Sequence, residues 1–452
     1  MLLQKQKMVG QQNAQEILQI NVELPLQVHL VTLQEKEQDV RVILAHLTKI
    51  KNIHYNNYNE CFTFNIINMK YFYILVTLLI LSCKNNLTDK NDTFTLVSKS
   101  FLHFKLDDKT GFFHNSIMFS EDGNHEFFSF LNHINNSIYY YDVGSPSDIN
   151  KIKLDIEGEN GVGHLETISA HFFKDQNNIY IYNIAVGKLF LVNSKGNILN
   201  KYDIIDYKAS TDNPFPEITA LQPMEIIADD IYFPCGLNSR KMKYSNSNTV
   251  LKFNIKTLKK EYILPFSNKY DNAFYGSTFK YLPSITFNSK KIFVSFPIEH
   301  NVFGYDIGNL KNKVEFNASS EYVERKIKPF NNDVKYGLSK NRNFKKEDIF
   351  SLTTPDYQSI KYDKYRNVFY RIVHVRRTKE EVRLNNLLFS PNISIILLDS
   401  NYVKIGEVLL DGGKYHHVMI DVCKEGLAIA RRDYYKKNEN ELVFEILKLE
   451  KK

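Results

Sequence analysis

The sequence predicts an all-β fold: a six-bladed β-propeller over residues 94–452, closed by pairing of its N- and C-terminal strands. Short runs rich in Ile, Val, Tyr and Phe recur along the chain, among them 127–131, 138–141, 179–182, 189–192, 231–233, 250–253, 291–296, 368–373, 393–398, 426–430 and 442–449. Turn formers punctuate them, at Glu121-Asp122-Gly123-Asn124, Asn135-Asn136, Gln176-Asn177-Asn178, Ser194-Lys195-Gly196-Asn197 and Asp411-Gly412-Gly413. The runs group into repeats of four short strands, and no helix of more than three turns is apparent.

The clearest repeat is 165–204. A strand near 165–173 is followed by Ile179-Tyr180-Ile181-Tyr182, then Lys188-Leu189-Phe190-Leu191-Val192, and a fourth strand at 198–204 after the Lys195-Gly196-Asn197 turn. Four strands with tight turns over about 40–50 residues make one blade. Similar units are drawn at 127–154, 224–264, 284–314, 359–409 and 416–449. Second strands are placed near 138, 179, 231, 292, 368 and 426, with the longer spacings absorbed as loops. The last unit shows three strands, and 93–106 offers a strand-like stretch to complete it and remove an exposed edge. A pair of β-sandwiches is the architectural alternative.

Ahead of the propeller, residues 69–83 read Met-Lys-Tyr-Phe-Tyr-Ile-Leu-Val-Thr-Leu-Leu-Ile-Leu-Ser-Cys. The order charged, apolar, small is that of a signal peptide. The apolar run is too short for the roughly 20 residues that span a bilayer. Ile80-Leu81-Ser82-Cys83 resembles a bacterial lipobox, so Cys83 is expected to carry lipid. Residues 84–93 are polar and read as a flexible tether. Lys84 directly after the cysteine favours the outer membrane, periplasmic or surface-exposed. A signal peptide should begin a protein, so residues 1–68 are expected to reflect a misassigned start or a disordered extension; a signal anchor behind a cytoplasmic tail is the alternative.

Composition narrows the function classes. The formal charge of +7 is modest for 452 residues, and the basic pairs Arg376-Arg377, Arg431-Arg432 and Lys436-Lys437 are followed closely by acids or Asn. A nucleic-acid partner, which would need a basic stripe, is not expected. Of the four cysteines, Cys61, Cys83, Cys235 and Cys423, none forms a C-x-x-C pair. Cys235 and Cys423 sit in strand-like contexts and are expected as two separate buried thiols, with one disulfide as the alternative.

The lipobox, Gly158-Glu159-Asn160-Gly161-Val162-Gly163 leading into a blade, and Tyr362-Asp363-Lys364-Tyr365-Arg366-Asn367-Val368-Phe369-Tyr370-Arg371 together resemble the TolB-like six-bladed propeller lipoproteins of Bacteroidota. The resemblance covers roughly residues 90–450. It implies the propeller and the envelope location, and no activity, since that group has no established function.

Candidate chemistry is sparse. Gly158, Gly161 and Gly163 lack dinucleotide spacing and a following helix, and read as an inter-blade connection. His416-His417 would point to opposite faces of a regular strand. No G-x-S-x-G elbow is present. No cofactor or metal is expected. The position that stands out is Tyr370-Arg371 in the apolar strand 368–373, with Asp363 and Arg366 in the preceding turn. A buried arginine needs a partner, so these four residues form either an ion pair linking blades or a ligand site at the channel mouth. The functional expectation is a lipid-anchored, non-catalytic binding or scaffolding module for a peptide, glycan or partner protein. A propeller hydrolase or lactonase with a metal in the funnel is the alternative.

Overall fold

The structure, a computed structural model, describes residues 93–207, 214–236, 244–375, 377–383 and 391–452. The lipobox with Cys83, the tether and residues 1–68 lie outside the described residues. Within them the chain forms a six-bladed propeller. Strand β1 (Phe94–Lys105) comes first. Blade 1 is β2 (Ile117–Asp122), β3 (His125–Asn132), β4 (Ser137–Asp142) and β5 (Asn150–Lys153). Blade 2 is β6 (Ala170–Asp175), β7 (Asn178–Asn183), β8 (Lys188–Val192) and β9 (Ile198–Asp203). Blade 3 holds β10 (Phe215–Pro216), β11 (Glu225–Ile227), β12 (Asp230–Gly236), β13 (Asn248–Asn254) and β14 (Lys260–Pro265). Blade 4 is β15 (Ser284–Phe287), β16 (Lys291–Ser295), β17 (Asn301–Asp306) and β18 (Asn309–Asn317). Blade 5 is β19 (Asp356–Asp363), β20 (Val368–His374), β21 (Ile393–Leu398) and β22 (Lys404–Leu410). Blade 6 is β23 (Tyr415–Cys423), β24 (Gly426–Arg431) and β25 (Glu441–Lys451), completed by β1.

Closure of the ring is the expected one. Strand β1 runs antiparallel to β25 from Phe94 opposite Lys451 to Lys105 opposite Glu441. Pairing the two chain ends leaves no open edge between first and last blade.

Burial follows position in the blade. The second and third strands are sandwiched between neighbouring blades and are apolar on both faces: β21 is buried at every residue, whereas the outer β9 has none buried. Five apolar clusters fill the seams around the ring, joining blades 1–2, 2–3, 3–4–5, 5–6 and 6–1. Cys235 and Cys423 are free thiols buried in two different seams.

One blade boundary differs from the expectation. The second strand of blade 1 is β3, not the run at 138, and its inner strand is β2. The sequence Ile-Met-Phe-Ser-Glu-Asp is too short and polar to read as an apolar strand, because an inner strand turns one face to the axial channel.

The long interval between blades 4 and 5, read as loop, contains helix α1 (Phe344–Thr353). Asn343 caps it, its side chain accepting from Lys346 N at 3.0 Å. Glu347 lies in its first turn and pairs with Arg342, and Pro355 follows just beyond its end. Two shorter α-helical turns are α2 (Lys379–Arg383) and α3 (Arg432–Tyr435). Among the described residues no helix is long and apolar enough to cross a membrane.

Candidate functional site

The four residues singled out from the sequence are wall, not mouth. Arg371 is fully buried, and its guanidinium crosses from β20 into blade 4. It donates to Ser295 Oγ (3.0 Å) and to the backbone oxygens of Glu299 (2.6 Å), His300 (2.5 Å) and Ala318 (2.8 Å). Its central carbon lies 3.7 Å from the centroid of the Tyr357 ring. Burial lowers the guanidinium to about 10, so it stays charged at neutral pH. The link between blades therefore runs through three carbonyls and a serine hydroxyl rather than through an ion pair, with the Tyr357 ring of the same blade lying over the guanidinium.

Asp363, Arg366 and Tyr370 make a second clamp. Asp363 has no exposed surface; it lies 2.8 Å from Arg366 Nε and accepts from Tyr370 OH at 3.0 Å. Arg366 donates onward to the carbonyls of Cys423 (3.0 Å) and Lys424 (2.9 Å), joining blade 5 to blade 6. None of the four lines either axial cavity.

What shapes the axis is a break in blade 3. Its inner strand is split, with β10 pairing the far end of β12 and β11 the near end. Pro216 and Pro223 flank the gap, and proline cannot donate to a ladder, so the strand leaves the sheet between them. The excursion turns tightly, with Thr219 and Gln222 exchanging backbone hydrogen bonds at 3.1 Å. Its tip reaches across to blades 4 and 5. Leu221 O accepts from Ser359 Oγ (2.6 Å) and Ser284 Oγ (3.2 Å), Ala220 O accepts from Lys361 Nζ (3.2 Å), and Gln222 Nε2 donates to Gln358 O (2.6 Å). Ala220, Leu221 and Gln222 are all buried. The tip plugs the channel and leaves one cavity above it and one below.

The upper cavity, of about 510 Å³, opens on the face where the chain enters the inner strands. Its wall is built from Asp356 and Gln358 of β19, His374 at the end of β20, His417 of β23, and Phe279 and Lys280 from the connection into β15, with Leu352 of α1 alongside. Lys280 is 1% exposed and fully committed, to Asp356 Oδ2 (2.8 Å) and the carbonyls of Thr354 (2.8 Å) and Pro355 (3.3 Å). The other Asp356 oxygen accepts from Gln358 Nε2 at 2.7 Å, so this buried pair is neutralised in place.

Three histidines gather beside that pair. The rings of His374 and His417 are 4.8 Å apart, and those of His417 and His416 stack at 5.3 Å. Adjacent rings stack because the β23–β24 ladder shifts register between Tyr415 and Ile420, so strict alternation fails there. Burial first, then neighbouring positive charge, holds His416 down at about 3 and His417 well below its ordinary value. Burial also lowers His374. The His417 backbone favours its proton, yet its buried Nε2 finds no acceptor at hydrogen-bond geometry among the described residues.

The lower cavity, about 210 Å³, collects Glu225, Lys361 and Asp421 from three blades. Lys361 Nζ lies 3.1 Å from Asp421 Oδ1, and Asp421 Oδ2 accepts from Phe119 N at 2.9 Å. Glu225 is half-buried on the wall of this cavity, and burial pushes its carboxyl up to about 7; Lys361 opposes the rise and Asp421 adds to it. Among the described residues no group of three His, Cys, Asp or Glu stands close enough to hold a metal ion.

His171 also lines this cavity, with Ser116 Oγ 2.7 Å from Nδ1 and Ser129 Oγ 2.9 Å from Nε2. Burial takes it down to about 3. The unfolded chain takes up a proton near pH 6.5, whereas folded His171 does so only near 3, so its contribution to stability is complete above 6.5 and lost as pH falls towards 3. Glu225, raised when folded, acts with the opposite sign between its unfolded value and about 7. Urea midpoints of wild type and His171→Asn should therefore be compared as a difference, in which Glu225 cancels. Between about pH 6 and 5 the wild type should lose up to about 1.4 kcal/mol per pH unit more than the variant. Parallel pH profiles would show that His171 does not fold as a neutral ring.

Apart from His417, the polar groups of the channel escaped the sequence reading because each is one ordinary residue in its strand, without spacing that links it to the others. The one available signal was the pair Pro216 and Pro223 bracketing what should have been an inner strand.

Comparison with known proteins places this architecture. Residues 93–409 match the family described as Domain of unknown function (DUF4221). The crystal structure of a member of that family from Bacteroides vulgatus superposes with a TM-score of 0.66 at 23% identity, covering 80% of this chain and 100% of that one. A putative exported protein from Bacteroides fragilis gives 0.48 at 14% identity, over 81% and 98%. Virginiamycin B lyase from Staphylococcus aureus gives 0.37 at 13%, over 78% and 100%. The first likeness shows the fold, and the other two carry no inference about chemistry. No curated protein matches in sequence.

Proposed function

The chain belongs to the family described as Domain of unknown function (DUF4221), and from that footing we propose that it is a non-catalytic binding module, a TolB-like lipoprotein held in the bacterial envelope by lipid on Cys83. Its upper cavity would take a peptide segment, a glycan terminus or the projecting loop of a partner protein. One observation carries the reading: a cavity of about 510 Å³ has Phe279, Leu352 and His374 in its lining, and the buried Nε2 of His374 has no hydrogen-bond partner among the described residues. That volume lies within the range of small-ligand sites, in which apolar walls supply contact area and a few polar groups supply orientation. The same walls bring together no nucleophile with a base poised to activate it, since burial and charge hold the histidines neutral and Asp356 is tied to Lys280. A metal-dependent hydrolase or lactonase has no ligand set among the described residues. Lys84 after the lipidated cysteine favours the outer membrane as the anchoring site.

The reading is tested on the full chain in one expression host. Fatty-acid labelling should mark the wild type and fail with Cys83→Ser; a labelled mutant would refute the anchor. Ligands recovered from peptide and glycan arrays should bind Phe279→Ala at least about tenfold more weakly, the loss of one well-placed aromatic anchor. Phe279 is 65% exposed, so its removal leaves the fold intact. Undiminished binding by that variant would remove the upper cavity as the site.

A further inference from the structure

The lower cavity holds a carboxylate that the fold itself does not use. Glu225 opens β11 and lines the space beneath the plug. No described residue donates a hydrogen bond to its carboxylate, whereas its neighbours are committed: Lys361 to Asp421 and Ala220 O, Asp421 to Lys361 and Phe119 N. Ser120 Oγ, on the same wall, is buried without a partner. Asp421 and Lys361 cancel, so Glu225, once ionised, has no counter-charge of its own in a protein-walled space. Such a group calls for a counter-charge that also donates hydrogen bonds.

The dimensions limit what can answer that call. At about 210 Å³ the cavity falls below the usual range of drug-sized sites. Ile218, Thr219, Pro223 and Met224, at the tip and on either side of it, bound it, and Lys364 and Tyr365 also line it. Hard divalent cations want about six oxygen ligands, which two carboxylates, one already paired to a lysine, do not provide.

We propose that the lower axial cavity is a binding site for a small organic ammonium ion, a primary amine of a few heavy atoms, with Glu225 as its counter-ion and Ser120 as a second acceptor. This site is independent of the upper cavity. The charges acting on Glu225 are Lys361 from β19 and Asp421 from β23; of the other titratable groups in the lining, His171 of β6 is kept neutral by burial and Lys364 is paired with Glu121. With its carboxyl held up at about 7, amine binding displaces a proton, and affinity rises with pH through neutrality.

Calorimetric titration of the full chain with n-butylammonium chloride, against sodium chloride at equal ionic strength, tests the site. Saturable binding is expected, about tenfold tighter near pH 8 than near pH 6, in proportion to the ionised fraction of Glu225. Glu225→Gln, which keeps shape and removes the charge, should abolish binding at both values while the variant unfolds cooperatively. Ser120→Ala should weaken it several-fold, and Phe279→Ala should leave it unchanged. Absence of saturable heat from wild type near pH 8, or binding that survives Glu225→Gln, overturns the proposal.

Discussion

Replacing Arg371 by methionine is expected to lower the unfolding free energy by about 3–5 kcal/mol, the range for stripping one partner from a buried charged network. Methionine keeps much of the volume but none of the donors. Ser295 Oγ and the carbonyls of Glu299, His300 and Ala318 lose their shared donor at the seam of blades 4 and 5. Each orphaned buried acceptor costs about 1–3 kcal/mol, and water entering the gap recovers part of the sum. Arg371→Lys should recover only part of the loss, because a single ammonium cannot reproduce a planar fork aimed at acceptors on several sides. Urea unfolding followed by circular dichroism reads the effect. A loss below about 1 kcal/mol would mean that the guanidinium is not the clamp its geometry describes, and would restore the ligand-site alternative.

Phe104→Ala is the second large effect, also about 3–5 kcal/mol. Phe104 lies in β1, has no exposed surface, and its ring centroid is 4.5 Å from Phe128, 5.2 Å from Tyr141 and 6.1 Å from Phe444. These rings join blades 6 and 1 across the ring closure, so truncation opens a cavity where the two chain ends are held together. Val97→Ala on the same strand is the control: Val97 is 38% exposed, and its loss should stay within about 0.5 kcal/mol. Equal effects at the two positions would show that β1 contributes through its backbone pairing alone.

These expectations mark where sequence reading succeeds. Strands such as Ile179-Tyr180-Ile181-Tyr182 are legible because a blade's middle strands are apolar on both faces and end in turn formers. Asn136 and Asn367, in the turns before β4 and β20, hold φ of 51° and 53°, a conformation asparagine tolerates better than most residues. Gly158 and Gly163, between β5 and β6, adopt φ of 86° and 82°, in keeping with a connection rather than a phosphate loop.

Reading by strand failed where a residue's role depends on what lies opposite. Arg371 in an apolar strand announces that something must satisfy it. Whether that is a ligand or the carbonyls of the next blade depends on contacts more than 50 residues away in sequence. The stacked rings of His416 and His417 depend on a register shift that alternation cannot foresee.

The sequence by itself determined the propeller, its six blades and its closure by the two chain ends. Those follow from short apolar strand runs, local turns and a last repeat one strand short, all short-range properties written in consecutive residues. Only the tertiary structure decided what the axis is: a channel plugged by the 219–222 tip, with a histidine-walled cavity above and Glu225, Lys361 and Asp421 below. An axial site takes its side chains from several blades, so its members are scattered along the chain. Each is unremarkable in its own strand, and only closure of the ring brings their charges within reach of one another.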